Sequence, residues 1–155
     1  FDRAINLLKS SNILEELTNQ VIVKKKPILA VCVGMQIMAE TSTEGIFKGL
    51  GWIPGSVVNF NEEPDFRFDI PHMGWNELSL VDKNDPLFKC IEKPSFYFLH
   101  SYRFKPSNKK NILTYTNYGV EFVSSVRSEN IWATQFHPEK SLNWGIKLLS
   151  NFAEI

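Results

Sequence analysis

The sequence feature that most constrains the fold is an unbroken apolar run at residues 28–33, which ends at Gly34. Such a run without alternation is typical of a strand buried on both faces, as in a parallel sheet. Residues 35–40 are predicted to begin a helix, and residues 2–23 show helical spacing with a break near residues 10–12. The run therefore predicts a strand that lies between helices.

Several later segments have the composition of short strands, and the chain closes with a helical segment. The predicted strands cover residues 56–60, 77–80, 96–99, 112–115, 122–127 and 131–136, and the closing helix covers residues 144–152. A strand flanked by helices early and β segments later favour one layered α/β domain with some antiparallel pairing. The 155 residues, 43% of them hydrophobic, suffice for one substantial core.

Charge and cysteine content exclude several classes of function. Seventeen basic residues balance seventeen acidic ones, so we expect neither a nucleic-acid nor a membrane partner. Cys32 and Cys90 form neither a disulfide framework nor a metal-ligand spacing, which favours a reducing, cytoplasmic setting. Cys90 is interpreted as a structural thiol, and we expect no metal or cofactor.

Cys32 has the sequence surroundings of a nucleophile elbow. It ends the apolar run just before the predicted helix, with small residues two positions away on each side, Ala30 and Gly34. A sharp strand-to-helix turn brings these two positions together and presents the nucleophile at a strained apex. The amino end of a helix also favours the thiolate form of a cysteine. The local pattern alone fits an inert core cysteine equally well.

A second candidate group consists of His137 and Glu139, which flank Pro138. A residue before proline is biased towards extended backbone, in which positions two apart point the same way. The Glu139 carboxylate can then hold one imidazole nitrogen while the other faces a nucleophile. Taken alone the triplet is more often structural, so the hypothesis of a catalytic triad also depends on Cys32.

Two segments resemble the signatures of the class I, or triad, glutamine amidotransferases: AVCVGMQ at residues 30–36 and QFHPE at residues 135–139. Further segments resemble the HisH-type glutaminase subunit of imidazole glycerol phosphate synthase, namely PHMGWN at 71–76, YFLHSY at 97–102, YG at 118–119 and KS at 140–141. The resemblance covers nearly the whole chain. It implies a three-layer, flavodoxin-like α/β glutaminase domain at residues 1–155.

The resemblance implies that Cys32 attacks the side-chain amide of L-glutamine, with His137 as the base that Glu139 orients. The residues at family positions that hold glutamine are Val33, Gln36, Glu44, Ser101 and Tyr102. Among them, the N–H of Val33 corresponds to one donor of the oxyanion hole. The resemblance implies that no cofactor takes part.

The resemblance also implies a partner subunit. Trp75, Asn76 and Lys140 match positions that face it. The expected assembly is a heterodimer with a HisF-like (β/α)8-barrel synthase, or cyclase, which receives the ammonia. That synthase forms imidazole glycerol phosphate in histidine biosynthesis.

Without the family, several of these residues have simpler interpretations. Gln36 and Glu44 are most simply exposed polar residues near a helix end. Tyr102 fits a core aromatic as well as a pocket residue. His72 and His100 are interpreted as hydrogen-bonded structural histidines and are given no catalytic role.

The sequence lacks the strand–helix–strand portion and the glycine-rich oxyanion loop with which the family begins. Residues 1–4 resemble those just after that loop, so the glutaminase domain is expected to be incomplete at its N-terminus. We expect the 155-residue chain alone to be nearly inactive, because losing one oxyanion donor costs about a hundredfold to a thousandfold in rate.

Three alternative functions remain open from the sequence. A HisH-like subunit that aminates a nucleotide-sugar precursor of bacterial surface polysaccharide would share the chemistry and differ in its partner. A non-catalytic scaffold subunit would share only the fold. A stand-alone cysteine hydrolase would work without any partner.

Overall fold

The computed structural model describes residues 1–92 and 94–155. Its helices are α1 (Asp2–Ser10), α2 (Leu14–Thr18), which continues into a π-helical turn at Asn19–Val23, α3 (Val33–Ile37) and α4 (Leu142–Ala153). Its strands are β1 (Ile28–Val31), β2 (Thr41–Ser42), β3 (Gly55–Asn59), β4 (His72–Glu77), β5 (Ser79–Leu80), β6 (Ser95–His100), β7 (Tyr102–Pro106), β8 (Ile112–Tyr118), β9 (Val120–Ser128) and β10 (Ile131–Thr134). None of the described helices is long and apolar enough to cross a membrane.

The first helical segment breaks where the sequence predicts. Helix α1 has Asp2 in its first turn and Lys9 in its last turn, the charge placement that the helix dipole favours. Asn12 then has a φ of 58°, a left-handed conformation that asparagine tolerates and that ends a helix. The predicted break near residues 10–12 is therefore confirmed.

Eight strands form one mixed sheet in the order β1-β10-β9-β7-β3-β2, with β8 also paired to β9 and β5 to β8. Strand β1 is parallel to β10, with Val31 opposite Thr134, and β2 is parallel to β3. The other pairs in this sheet are antiparallel. Strands β4 and β6 form a separate antiparallel ribbon in which His72 lies opposite His100. The expected antiparallel pairing is thus confirmed.

Alternate residues of the central strands enter two cores on opposite faces of the sheet. On β10, Ala133 belongs to one cluster, which includes Met35 of α3. The neighbouring Trp132 belongs to the other cluster, which includes Leu148 of α4 and Phe98 of the ribbon. Helices therefore cover both faces of the sheet, which confirms the three-layer α/β class.

Strand β1 is less buried than its apolar run predicts. Ile28, Leu29 and Val31 are half-buried, and only Ala30 is fully buried. In the described structure β1 is the edge strand of the sheet, with β10 as its neighbour. Its residues still pack on both faces, Ile28 and Ala30 against one core and Leu29 against the other, so the expected strand is present but only half-buried.

Strands β4 and β7 were not predicted from the sequence, and some predicted helix and strand boundaries differ from those of the structure. Strand β7 carries a buried Arg103 that pairs with Glu63. A charged residue at a buried position interrupts the hydrophobic pattern by which a strand is recognised. Helix α3 ends at Ile37 rather than near residue 40, and the chain then turns into the short strand β2. The strand predicted at residues 77–80 is interrupted at Leu78, between β4 and β5.

Candidate active site

Cys32 lies at a strained turn between β1 and α3. Its φ of 51° and ψ of −109° are values that a residue with a side chain rarely adopts. The N–H of Cys32 donates to the carbonyl of Thr134 at 2.7 Å, and the N–H of Gln36 donates to the carbonyl of Cys32 at 3.2 Å. A Cβ at Gly34 would lie 3.5 Å from the Cβ of Ala30. The two small residues therefore meet beneath the cysteine, as an elbow requires.

The parallel pairing of β1 with β10 brings the two predicted catalytic segments to one edge of the sheet. Val31 and Thr134 lie opposite each other at the ends of these strands. Cys32 follows the first strand by one residue, and His137 follows the second by three. Because parallel strands end at the same edge, the sulfur and the imidazole are both carried there.

The backbone of His137 is fixed on two sides. Its N–H donates to the carbonyl of Tyr97 on β6 at 2.8 Å. The Ser141 hydroxyl donates to the carbonyl of His137 at 2.6 Å and accepts from the N–H of Tyr97 at 2.9 Å. Helix α4 packs against the same segment at Gly145, where a Cβ would lie 1.8 Å from the carbonyl oxygen of Pro138. The ribbon and α4 together hold the imidazole in place.

The imidazole of His137 has one nitrogen bound and one nitrogen free. Nδ1 lies 2.6 Å from Oε1 of Glu139, so a neutral ring bonded in this way carries its proton on Nδ1. Nε2 is buried and has no hydrogen-bond partner in the described part of the chain. In the neutral ring, Nε2 is therefore the nitrogen that can accept a proton.

Burial raises the pKa of the Cys32 thiol above its ordinary value. The backbone N–H of Val33 lowers this pKa, the Glu139 carboxylate raises it, and the Gln135 amide and the Lys140 ammonium lower it again. The N–H of Val33 at the start of α3 acts in the expected direction, towards the thiolate, but burial outweighs it and the net pKa is raised. The thiol is therefore neutral at rest and needs a base.

Two of the residues predicted to hold glutamine lie on α3 directly after Cys32, two lie at the turn from β6 into β7, and one lies beyond β2. Val33 follows Cys32, and Gln36 is buried on α3, so its interpretation as an exposed residue is wrong. The Gln36 amide donates to the carbonyl of Tyr102, the neighbour of Ser101, at 3.3 Å. Glu44 lies beyond β2 and is exposed, and its N–H donates to the hydroxyl of Ser42 at 3.1 Å.

Of the predicted partner residues, Trp75 lies on the outer face of the ribbon, Asn76 lies on its inner face, and Lys140 lies on the turn after His137. Trp75 is 49% exposed and Asn76 is half-buried. Lys140 is exposed, with its Nζ 5.8 Å from the centre of the Tyr97 ring. A groove of about 420 Å³ opens beside them, bounded by Trp75, Ser95, Ser141, Leu142, Asn143 and Trp144.

Two further findings concern residues outside the predicted set. Gln135 is fully buried and its Nε2 donates to the sulfur of Cys32 at 3.7 Å, a role that its place in the QFHPE segment could have indicated. Cys90, interpreted from the sequence as a structural thiol, is free and exposed. Among the described residues, no group of three or more His, Cys, Asp or Glu side chains could hold a metal ion.

Comparison with known sequences identifies relatives over the full length of the chain. The family described as "Glutamine amidotransferase class-I" matches residues 9–155. The imidazole glycerol phosphate synthase subunit HisH of Leptospira borgpetersenii is 47% identical over 100% of this chain and 76% of its own length. Subunit HisH 1 of Campylobacter jejuni (strain 81-176) is 48% identical with the same two coverages. The HisH subunit of Bdellovibrio bacteriovorus is 45% identical.

Solved structures agree with these relatives at the level of the fold. A structure described as a glutamine amidotransferase superposes with a TM-score of 0.69 at 17% identity, covering 96% of this chain and 70% of its own. A glutamine amidotransferase from Thermotoga maritima gives a TM-score of 0.58 at 15% identity, covering 95% of this chain and 56% of its own. The flavodoxin-like three-layer fold is consistent with both. On its sequence and its architecture, the chain belongs to the class I glutamine amidotransferase family.

Proposed function

We propose that this protein hydrolyses the side-chain amide of L-glutamine and delivers the ammonia to a synthase that forms imidazole glycerol phosphate in histidine biosynthesis. The observation that carries the proposal is the His137–Glu139 pair, with Nδ1 held at 2.6 Å and Nε2 free, at the same sheet edge as the strained Cys32. The names of the full-length relatives identify the same synthase.

In the proposed reaction, the Cys32 sulfur attacks the carbonyl carbon of the glutamine amide while Nε2 of His137 takes the thiol proton. The tetrahedral intermediate collapses as its C–N bond breaks, and His137 returns the proton to the leaving nitrogen, which departs as ammonia. Water then attacks the thioester with His137 as base, and glutamate leaves as the C–S bond breaks and the thiol is reprotonated. Glu139 stabilises the imidazolium at each stage.

The raised pKa of Cys32 supports this sequence of events. A neutral thiol gives up its proton only when a base is within reach, and the free Nε2 of His137 is the base that the proposal assigns. The N–H of Val33, which already interacts with the sulfur, is the proposed oxyanion donor in this chain. We assign glutamine binding to Gln36, Ser101 and Tyr102 near the sulfur, and to Glu44 at the rim.

The proposed partner is a (β/α)8-barrel synthase that docks on the outer face of the ribbon and the adjoining end of α4. Two apolar side chains of β4 are exposed there, Met73 at 61% and Trp75 at 49%, and Leu142 at the start of α4 is 73% exposed. Large exposed aromatic and apolar side chains beside a groove are common anchors of protein interfaces. Lys140 would supply a polar contact at its edge, while the Asn76 amide lies on the other face of β4, bonded to the carbonyl of Asn117. A cytoplasmic setting stays a prediction that the two free cysteines favour.

The reaction class is tested by labelling. The full-length protein is exposed to a diazo-ketone analogue of glutamine, with and without the barrel partner, and its peptides are analysed by mass spectrometry. We expect one adduct on Cys32, suppressed by excess glutamine, and none on Cys90, which is exposed but has no base assigned to it. Labelling of Cys90 in place of Cys32 would overturn the site assignment.

The triad is tested by Glu139→Gln, with Glu129→Gln as the matched control. Glu129 is an exposed carboxylate that bonds only Lys25 on the surface, at 2.6 Å. We expect Glu139→Gln to lower glutaminase kcat of the complex by about a hundredfold or more, because the imidazolium loses its counter-charge. The control should stay within about twofold. Equal activities of the two variants would remove Glu139 from the triad.

A further inference from the structure

A buried line of hydrogen bonds runs from the partner-facing ribbon to the sulfur of Cys32. It begins at the side chain of Asn76 on β4 and ends at that of Gln135, one residue after β10. Between these ends it contains two histidines, one backbone carbonyl and one glutamine, namely His72, His100, the carbonyl of Tyr102 and Gln36. None of the steps proposed for catalysis uses the histidines or Gln135.

The carbonyl of Tyr102 fixes the direction of the bonds on the sulfur side, because a carbonyl oxygen can only accept. The Gln36 amide must therefore turn its NH2 group to this carbonyl, at 3.3 Å. The second N–H of that group donates to Oε1 of Gln135 at 3.1 Å. Gln135 consequently turns its own NH2 group to the sulfur of Cys32, at 3.7 Å. The orientation of the Gln135 amide is thus dictated by its neighbours.

The same carbonyl fixes the proton positions on the ribbon side. Nδ1 of His100 must carry a proton to donate to Tyr102 at 2.7 Å, which leaves its Nε2 as an acceptor. Nδ1 of His72, 3.0 Å from that Nε2, must then donate, and Nε2 of His72 accepts. Asn76 supplies the matching donor at 3.4 Å, since its NH2 group is turned inward by a 2.9 Å bond to the carbonyl of Asn117. Both rings are therefore neutral and hold the Nδ1–H tautomer.

The surroundings of the line keep it intact. The ring of His72 stacks on Phe98 and Tyr118, with centroids 4.7 and 4.0 Å away, and both histidines are almost fully buried. Burial lowers the pKa of His72 to about 4 and that of His100 to about 3, so neither ring gains a proton at neutral pH. Because both rings are neutral and each holds a single tautomer, the pair has only one arrangement of hydrogen-bond donors and acceptors.

We propose that Gln135 is a positioning residue for the nucleophile, which it orients and stabilises as thiolate through its N–H, and that the His72–His100 pair sets the orientation of Gln135 through Tyr102 and Gln36. This inference rests on the proposed function only in taking Cys32 as the nucleophile. The ionisable groups that act on the same sulfur are Glu139, which disfavours the thiolate, and Lys140, which favours it. The Gln135 amide acts alongside them without titrating.

The first test measures the pH dependence of Cys32 alkylation by iodoacetamide in the full-length protein carrying Cys90→Ser, which removes the exposed competing thiol. Gln135→Met keeps the side-chain length but loses both amide groups, and we expect the thiol pKa to rise by about half a unit to one unit. Gln135→Glu keeps an acceptor for Gln36 but turns a carboxylate towards the sulfur, so its rise should be larger. Unchanged profiles in both variants would overturn the role of Gln135.

The second test asks whether the histidines act through Gln135. His100→Asn can keep a donor for the carbonyl of Tyr102, and its profile should match that of the parent. His100→Phe loses the donor and should raise the thiol pKa, by less than Gln135→Met does. In the double variant with Gln135→Met, His100→Phe should add nothing further. Additive shifts, or equal profiles for the Asn and Phe variants, would contradict the line.

The third test observes the tautomers directly. In the ¹⁵N-labelled parent protein at pH 7, side-chain nitrogen shifts should show a protonated Nδ1 and an unprotonated Nε2 for both His72 and His100. A protonated Nε2 on either ring would break the inferred sequence of donors. Because neither alkylation nor these spectra require glutamine turnover, failure of this inference is distinguishable from failure of the proposed glutaminase activity, which the diazo-ketone reports.

Discussion

Cys32 combines a left-handed backbone with a thiol whose pKa is raised by burial. The turn places the sulfur at the sheet edge, but it does not by itself make the sulfur reactive. Reactivity therefore has to come from neighbouring side chains: a base at His137, a counter-charge at Glu139 and a hydrogen-bond donor at Gln135. At rest Cys32 is therefore a neutral thiol, which is activated only as its proton leaves.

The two buried histidines predict how stability depends on pH. Their pKa values, about 4 for His72 and about 3 for His100, lie below the ordinary 6.5, so the unfolded chain binds protons first as pH falls. Their contribution to stability is complete above about pH 6.5 and is lost as pH falls towards 4. The urea concentration at the unfolding midpoint of the full-length protein should therefore decrease as the pH is lowered from 7 to 5.

The control for this pH effect is His100→Asn, which keeps a donor at position 100 but cannot titrate in that range. Its unfolding midpoint should depend less steeply on pH between 7 and 5 than that of the parent. Restricting the range to values above pH 5 limits the contribution of the carboxylates. A slope equal to that of the parent would mean that His100 is not the titrating group.

Helix α4 packs behind the segment that carries the imidazole of His137. Its Gly145 lies so close to Pro138 that a Cβ would be 1.8 Å from the carbonyl oxygen and 2.8 Å from the carbonyl carbon. Both of these are backbone atoms, which cannot move aside as a flexible side chain could. The helix cannot shift cheaply, since Leu148 and Asn151 on the same face are fully packed. The glycine is therefore required by close approach rather than by its backbone angles.

Gly145→Ala should consequently destabilise the full-length protein by about 1–3 kcal/mol, the usual cost of overpacking, despite alanine's better helix propensity. Glutaminase activity should fall as well, because the displaced segment carries His137 and Glu139. Urea unfolding and steady-state kinetics measure the two effects. Ser150→Ala, at an exposed position of the same helix, should change stability by less than about 0.5 kcal/mol. Similar behaviour of the two variants would refute the close-packing argument.

The elements were predictable from the sequence to the extent that burial follows a simple period. The apolar run of β1 and the strand composition of β6 were recognisable, and so was the break after α1. Strands β4 and β7 were not, because β4 carries Gly74 in a two-stranded ribbon and β7 buries an arginine. Pairings such as Arg103 with Glu63 depend on residues 40 positions apart, which no local period contains.

The site was predictable in part for the same reason. The segments around Cys32 and His137 indicated the proposed nucleophile and base through their local pattern and their resemblance to a family. The place of Gln135 beneath the sulfur follows from the pairing of β1 with β10, which sequence spacing alone does not reveal. The raised pKa of the thiol likewise results from burial by distant residues, which outweighs the lowering by the Val33 N–H at the helix end.

The exposed face of the ribbon should control assembly with the barrel partner. Trp75→Ala removes a large exposed ring beside the groove, and we expect it to weaken the complex about tenfold to a hundredfold, as loss of an aromatic anchor does. Titration calorimetry measures the Kd, and unfolding of the isolated subunit should change little. Val23→Ala, at a 71% exposed apolar residue outside the ribbon, is the control. Equal loss of affinity in both variants would exclude the ribbon as the docking face.

Side chains on β4 alternate between two surroundings. Met73 and Trp75 point outward, while His72 points into the aromatic core and connects towards the nucleophile. A lineage can therefore exchange the outward pair to suit a different companion protein while the inward histidine, and with it the reactive sulfur, stays untouched. Divergence in what such subunits assemble with can thus proceed without any drift in how they cleave their substrate.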